Sequence, residues 1–339
     1  MIESLAALTP EERLRRLRAL AIAALEQWDL DIRSVEPLKV RENAVFAVRL
    51  RNGRRVALRV HRHGYHTDAA LESEYMWLQA LGESGVEVPA FVPTRLGHTF
   101  ALASTPDVPI PHQVDVLRWI DGDMLGALGE HIHGSGIDVQ RVYGVVGELA
   151  AAMHNQASAW SRPPGFVRHA WDREGLVGER PLWGRFWELE ALDRREADTL
   201  RELRARVQHD LRNFGTGADR FGLIHADLVP ENILVSGTTP RIIDFDDFGY
   251  GWHMFELATT LYFIRREPFY EIARDALIAG YRRQRPLPDE HVSLLPLFLA
   301  VRGTTYLGWV HTRHGEQVAR DLTPQLIELA LASASDYLN

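Results

Sequence analysis

Cysteine is absent from the 339 residues, which excludes disulfides, thiolate metal sites and cysteine nucleophiles outright. Lysine is almost absent too: Lys39 is the only one, so nearly all basic charge is carried by arginine. No apolar run approaches the roughly 18 residues that a membrane span needs. Met1–Trp28 also lacks a charged segment followed by an uninterrupted apolar core, the mark of a signal peptide. Basic charge is not in excess either, with a formal net charge of −8 and a pI of about 6.0. That balance argues against nucleic acid or an acidic membrane surface as partner. No internal repeat or low-complexity tract is present. What these absences leave is a chain expected to act in the cytoplasm on a small molecule or a protein. Its 46% hydrophobic residues are enough for a substantial core in one large or two moderate domains. Nothing in the composition bears on oligomeric state.

Periodicity changes character partway along. Thr9-Pro10-Glu11-Glu12 reads as a capping box with proline at the first helical position, and Leu14, Leu17, Leu20, Ala21 and Ala24 follow at helical spacing. Ser34–Val40, Ala44–Leu50 and Arg54–His61 read as strands, the last two joined by a tight turn at Arg51-Asn52-Gly53. Thr67–Leu81 returns to helical spacing, and Phe91–Thr94, Thr99–Ser104 and Val114–Ile120 are further strand candidates. After Asp121-Gly122 the pattern is helical over Gln140–Gln156, Asp193–Leu211, His253–Ile264, Phe269–Arg282, His291–Thr312 and Thr323–Leu338, with Ser161–Arg180 expected as a long ordered loop. The prediction is an α+β fold in two lobes. Residues 1–121 form a helix and a small antiparallel sheet with an internal helix, and residues 122–339 form a larger, mostly helical lobe.

Between the helical segments lies the stretch that carries chemistry. Leu223-Ile-His-Ala-Asp-Leu-Val-Pro-Glu-Asn-Ile-Leu-Val235 is followed by Arg241-Ile-Ile-Asp-Phe-Asp-Asp247. His225-x-Asp227-x-x-x-x-Asn232 repeats the spacing of a kinase catalytic loop, in which the Asp accepts a hydroxyl proton and the Asn binds metal. Asp244 matches the second metal-binding group. Ile233–Val235 and Arg241–Ile243 read as strands of a hairpin turning at Ser236–Pro240, which carries Asn232 and Asp244 to one end. Taken singly, each half is also what a capped turn or a solvated acidic loop looks like; both in this order, between apolar strands, point to phosphoryl transfer.

His225–Asn232 and Ile243-Asp-Phe-Asp-Asp-Phe-Gly-Tyr-Gly251 resemble the blocks of the aminoglycoside phosphotransferase and choline kinase superfamily. Upstream, Glu42–Val48, Ala57–His61, Glu74-x-x-x-Leu78 and Leu117–Gly122 fall in the order that family uses for its nucleotide-binding lobe and hinge, so the resemblance runs over nearly the whole chain. It implies a protein-kinase-like fold that uses ATP and Mg²⁺ to phosphorylate a hydroxyl of a small molecule. Asp227 would be catalytic, and Asn232 and Asp244 would hold the metal, supported by His225, Asp246 and Glu256. Glu256 stands where the family commonly has Asp, bracing the catalytic loop.

Arg59 occupies the place of the usual strand lysine, with Glu74 as its helix partner. Asn43 lies in the phosphate-covering turn Arg41–Ala44, which contains no glycine. Leu117 and Trp119 lie in the hinge segment, whose backbone would read the adenine edge. Arg302, Tyr306 and Trp309 are weaker candidates for contact with the acceptor. His61, His63, His66 and Asp68 invite comparison with a metal cluster, but His66 follows the Gly64-Tyr65 turn, and a solvated loop is preferred. Two other readings stay open: a serine/threonine protein kinase of the same superfamily, and a nucleotide-binding protein without turnover.

Overall fold

The computed structural model describes Leu5 and residues 8–41, 43–126 and 138–339; Glu42, in the expected phosphate-covering turn, lies outside the described residues. The chain divides into two compact units, Met1–Asp121 with Arg162–Val167, and Gly122–Ser161 with Arg168–Asn339.

In the first unit α1 (Pro10–Ala24) starts where Thr9 Oγ1 accepts the N–H of Glu12 at 3.3 Å. Its buried stripe of Leu17, Leu20, Ala21 and Ala24 packs into one core with Val35, Phe46, Val48, Leu58, Val114 and Val116 of the sheet. That sheet is antiparallel, in the order β1 (Ile32–Val40), β2 (Ala44–Leu50), β3 (Arg55–Val60), β5 (Val108–Arg118), β4 (Phe100–Thr105). At the β2–β3 turn Gly53 has φ 84°, which glycine adopts without steric cost. Helix α2 (Asp68–Glu83) is capped by Thr67 and buries Leu71, Trp77, Leu78 and Leu81 together with Glu74.

Phe91–Thr94 does not form the expected strand. Pro93 lies within it and Pro89 just before it, and only one bridge forms, Phe91 with Leu117. The Val92 N–H donates to Val116 O and the Arg118 N–H to Ala90 O, both at 2.7 Å, so this short segment covers the outer edge of β5.

The second unit has two three-stranded sheets, β10 (Thr239–Ile242)–β9 (Ile233–Ser236)–β6 (Asp123–Met124) and β7 (Ala170–Trp171)–β11 (Gly249–Trp252)–β8 (Phe221–Ile224). Its helices are α3 (Val139–Ala159), α4 (Arg173–Val177), α5 (Arg194–Phe214), α6 (His253–Tyr262), α7 (Tyr270–Gln284), α8 (Asp289–Val292), α9 (Leu295–Thr312) and α10 (Gln317–Leu338). Strand β7 and helix α4 fall within the stretch expected to be a loop; Asp172 caps α4 by accepting the N–H of Gly175 at 2.8 Å. Helices α3 and α7 approach closely through glycine: a Cβ on Gly280 would lie 1.9 Å from Gly144 O. Apart from its final two residues, α9 is buried on nearly every side, which marks it as the unit's central helix. Helix α10 begins six residues before the expected Thr323 and continues through Pro324. Proline removes one helical hydrogen bond, but Ala319, Leu326, Leu329 and Ala330 are buried on both sides of it. Among the described residues no helix is long and apolar enough to cross a membrane.

Candidate active site

Strand β8 delivers the chain into His225, Ala226 and Asp227, and a short turn at Pro230–Asn232 leads into β9. Ala226 has φ 66° and Asp244 φ 65°, the two non-glycine residues at positive φ among those described. Such conformations cost energy and persist only where the surroundings impose them, characteristically at functional sites. At Ala226 the constraint is Glu256, fully buried on α6: Oε1 accepts the His225 N–H at 2.7 Å and Oε2 the Ala226 N–H at 2.8 Å. Burial pushes the Glu256 carboxyl up, against the opposing pull of His225 and the two N–H bonds.

His225 links the two halves of the motif. Its Nε2 lies 3.0 Å from Ile243 O, its Nδ1 accepts the Asp227 N–H at 3.3 Å, and its ring centroid is 4.4 Å from that of Phe245. One nitrogen donating and one accepting describes a neutral imidazole, in keeping with a pKa lowered by burial.

Asn232 Nδ2 donates to both the carbonyl and Oδ2 of Asp227, each at 2.9 Å. That leaves the amide Oδ1 as an acceptor. The Ile243 N–H donates to Asn232 O at 3.0 Å, extending the β9–β10 ladder. Asn232 and the residue before Asp244 are therefore paired across the open end of the hairpin. Among the described residues no three His, Cys, Asp or Glu side chains converge as a metal cage. An amide oxygen and one carboxylate are hard donors that suit Mg²⁺, which keeps water and phosphate oxygens for its other positions.

The loop after Asp244 is held by main-chain carbonyls. Arg168 donates to Phe248 O at 2.7 Å and to Asp246 O, its guanidinium 4.0 Å from the Phe248 ring centroid. Trp171 Nε1 donates to Asp247 O at 2.9 Å, and His169 Nε2 is 3.2 Å from the same oxygen. Asp246 and Asp247 are both buried, not loop residues in solvent. Arg302 on α9 lies fully buried against Asp227, with Nη2 2.5 Å from Oδ1 and 2.5 Å from the Tyr306 hydroxyl. Trp309 is also nearly buried, at 8% exposure.

In the first unit Arg59 is held by two carboxylates. Nε and Nη2 donate to Asp115 at 2.9 and 2.7 Å, and Nη1 donates to Glu74 at 2.9 Å. His61 Nε2 is 2.8 Å from Asp115 as well. Burial alone would raise the Asp115 carboxyl, but Arg59 and His61 hold it at about 2. His61 is therefore a buried partner of Asp115, while His63 is exposed. Asn43 is buried with its Oδ1 lacking a hydrogen-bond partner among the described residues, and its carbonyl accepts the Arg41 N–H at 3.1 Å. Leu117 pairs with Ala57 on one side and Phe91 on the other, and the Arg118 N–H is taken by Ala90 O. Trp119 is stacked by Arg55, whose guanidinium is 4.3 Å from the ring centroid and pairs with Asp121 at 2.5 Å.

Asp115 and Arg168 were missed by sequence reasoning, and Trp171, expected only as an anchor for the Ser161–Arg180 loop, holds the Asp247 carbonyl. Each is a lone polar or aromatic residue whose partners lie 56 to 80 positions away, and no local pattern announces such contacts.

The fold and this arrangement define a protein-kinase-like phosphotransferase, an enzyme acting on a hydroxyl of a small molecule. Residues 34–291 match the APH phosphotransferase enzyme family, and the chain belongs to it. An amicoumacin kinase of Bacillus subtilis is 24% identical over 258 residues, 70% of each chain. A microcompartment-associated aminopropanol kinase of known structure is 31% identical with a TM-score of 0.81, over 94% of this chain and 97% of that one. The structure of an amicoumacin kinase in complex with AMP-PNP, Ca²⁺ and Ami has a TM-score of 0.71 at 20% identity, over 97% of this chain and 94% of that one.

Proposed function

We propose that this phosphotransferase moves the γ-phosphoryl group of ATP, with Mg²⁺, to the hydroxyl of a small amino alcohol. The observation that carries the reaction is the Asp227 carboxylate, tethered by Asn232 on one oxygen and Arg302 on the other, beside a hairpin end that presents Asp244. Asp227 orients the acceptor hydroxyl and takes up its proton. Asn232 Oδ1 and the Asp244 carboxylate hold the metal, which when bound neutralises charge developing on the phosphate oxygens. In the first unit Arg59 with Glu74, Asn43 and the main chain around Trp119 are the groups assigned to the nucleotide. For the acceptor class, support comes from the 31% identity to an aminopropanol kinase along almost the whole of both chains.

The test is ADP release from ATP across aminopropanol, ethanolamine, choline, homoserine and aminoglycosides, with labelled casein alongside. Turnover with the small amino alcohols is expected. Incorporation into casein without small-molecule turnover would replace this reading with a protein kinase. Nucleotide binding with no transfer to any acceptor would replace it with a non-catalytic binding protein.

A further inference from the structure

Arg302 has no exposed surface, so it cannot meet an acceptor without α9 opening. All its hydrogen bonds point at the catalytic loop and at its own helix: Asp227 Oδ1, the Tyr306 hydroxyl and, at 3.1 Å from Nη1, Ala226 O. Aromatic rings hem in the guanidinium carbon, with the Tyr306 centroid at 4.4 Å, Trp183 at 5.2 Å and Phe255 at 5.7 Å. The Asp227 side chain, by contrast, is 21% exposed. An acid that reaches the surface therefore stands on a cation that cannot.

We infer that Arg302 is a positioning residue for Asp227, locking the carboxylate's rotamer from beneath, with Tyr306 locking the guanidinium in turn. This rests on the reading of Asp227 as the group that orients the acceptor. Each Asp227 oxygen is tied to a different element, Oδ1 to α9 and Oδ2 to the turn at Asn232. With both ends tied the carboxylate cannot rotate, and its remaining lone pairs are left for the exposed side. Placement of this kind matters because a shift of about 1 Å at a reacting group costs on the order of 100-fold in rate. Among the described residues Asp227 is also the one carboxylate paired with Arg302, so removing it leaves a fully buried guanidinium without its charge partner.

The experiment uses the full chain as Arg302→Met, Arg302→Lys, Asp227→Asn and the Asp227→Asn/Arg302→Met double variant. Thermal unfolding without ligand is read beside ADP release from ATP with aminopropanol. Arg302→Met should lower kcat by roughly 100-fold with KM for ATP and acceptor nearly unchanged. Arg302→Lys, which keeps the charge and loses the planar fork, should recover part of that loss. Each single variant should lower Tm by roughly 5–15 °C, and the double should fall little further than the worse single. A raised acceptor KM at unchanged kcat would make Arg302 an acceptor contact and overturn the inference, as would additive Tm losses. If Asp227→Asn keeps full transfer, the reading of Asp227 fails; if it is inactive while Arg302→Met keeps its kcat, only the positioning role fails.

Discussion

Arg59 in the first unit and Arg302 in the second are 4% and 0% exposed, and both reach toward groups assigned to the reaction, yet they are held differently. Arg59 makes three hydrogen bonds to two carboxylates, one on β5 and one on α2. Arg302 has one carboxylate, one hydroxyl, one carbonyl and a shell of aromatic rings. The first is over-determined by charge, so its place survives the weakening of any one bond. The second depends on a single acid, which is also the proposed catalytic group. In the first unit a permanent cation is given a fixed address, whereas under Asp227 it is the carboxylate that needs fixing, and the arginine serves it.

The comparison can be broken most sharply at Asp244. Asp244→Ala should abolish Mg²⁺-dependent nucleotide binding together with transfer, a loss of at least about 100-fold, measured by calorimetry with and without Mg²⁺. Unchanged metal-dependent binding would remove Asp244 from the site. Glu256 comes next. Glu256→Ala strands two buried loop N–H groups, at a cost of roughly 1–3 kcal/mol each, and should loosen the turn that carries Asp227. Reduced kcat with reduced stability in urea is expected, and Glu256→Asp, which keeps both acceptors, should retain more of each.

The charge-saturated arginine makes a graded prediction. Asp115→Asn removes the bidentate partner of Arg59 and should cost roughly 3–5 kcal/mol. Glu74→Gln leaves an amide oxygen to accept the single bond from Arg59 and removes only the charge, so it should cost less, roughly 1–3 kcal/mol. Equal losses in chemical denaturation would mean that the two acids are equivalent and the description of Arg59 is wrong.

The smallest effect separates the units by pH. Burial holds His154 at about 3 and lowers His225, His253 and His291 below the ordinary 6.5, all four in the second unit, whereas in the first unit burial lowers His112 alone among the histidines with a resolved shift. The unfolded forms of those four take up protons below pH 6.5 while the folded forms resist, so their stability contribution is full above 6.5 and is lost as pH falls. Glu256, raised by burial, works in the opposite sense, one group against four. Asp115 in the first unit, held at about 2 against an ordinary 3.8, contributes fully above 3.8 and loses that contribution only as pH drops toward 2. On acidification from pH 6.5 to 4.5 the second unit should open first. Hydrogen exchange, corrected for its intrinsic pH dependence, should show this in peptides from α3 and α6 before those of β3 and β5.

Much of this molecule was readable from the chain alone where the physics is local. Helix α1, the β2–β3 hairpin and the β9–β10 hairpin follow from caps, turn residues and alternation. Asp227, Asn232 and Asp244 stand out because one loop and one hairpin bring them together. What stayed hidden is set by distant partners. Asp115 is one acid on an apolar strand until folding places it against Arg59. Arg302 stood out only as a weaker candidate for the acceptor in a nearly apolar helix, and only packing reveals that it lies buried under the loop. The helix expected from Thr323 begins at Gln317 instead, because burial on both sides of Pro324 carries the helix through it.

The most direct test of the central claim is single-turnover phosphoryl transfer by Asp227→Asn, measured beside its affinity for Mg²⁺-ATP. The account predicts transfer reduced by about 10²–10⁴-fold with nucleotide affinity nearly unchanged. Transfer at the wild-type rate would contradict it.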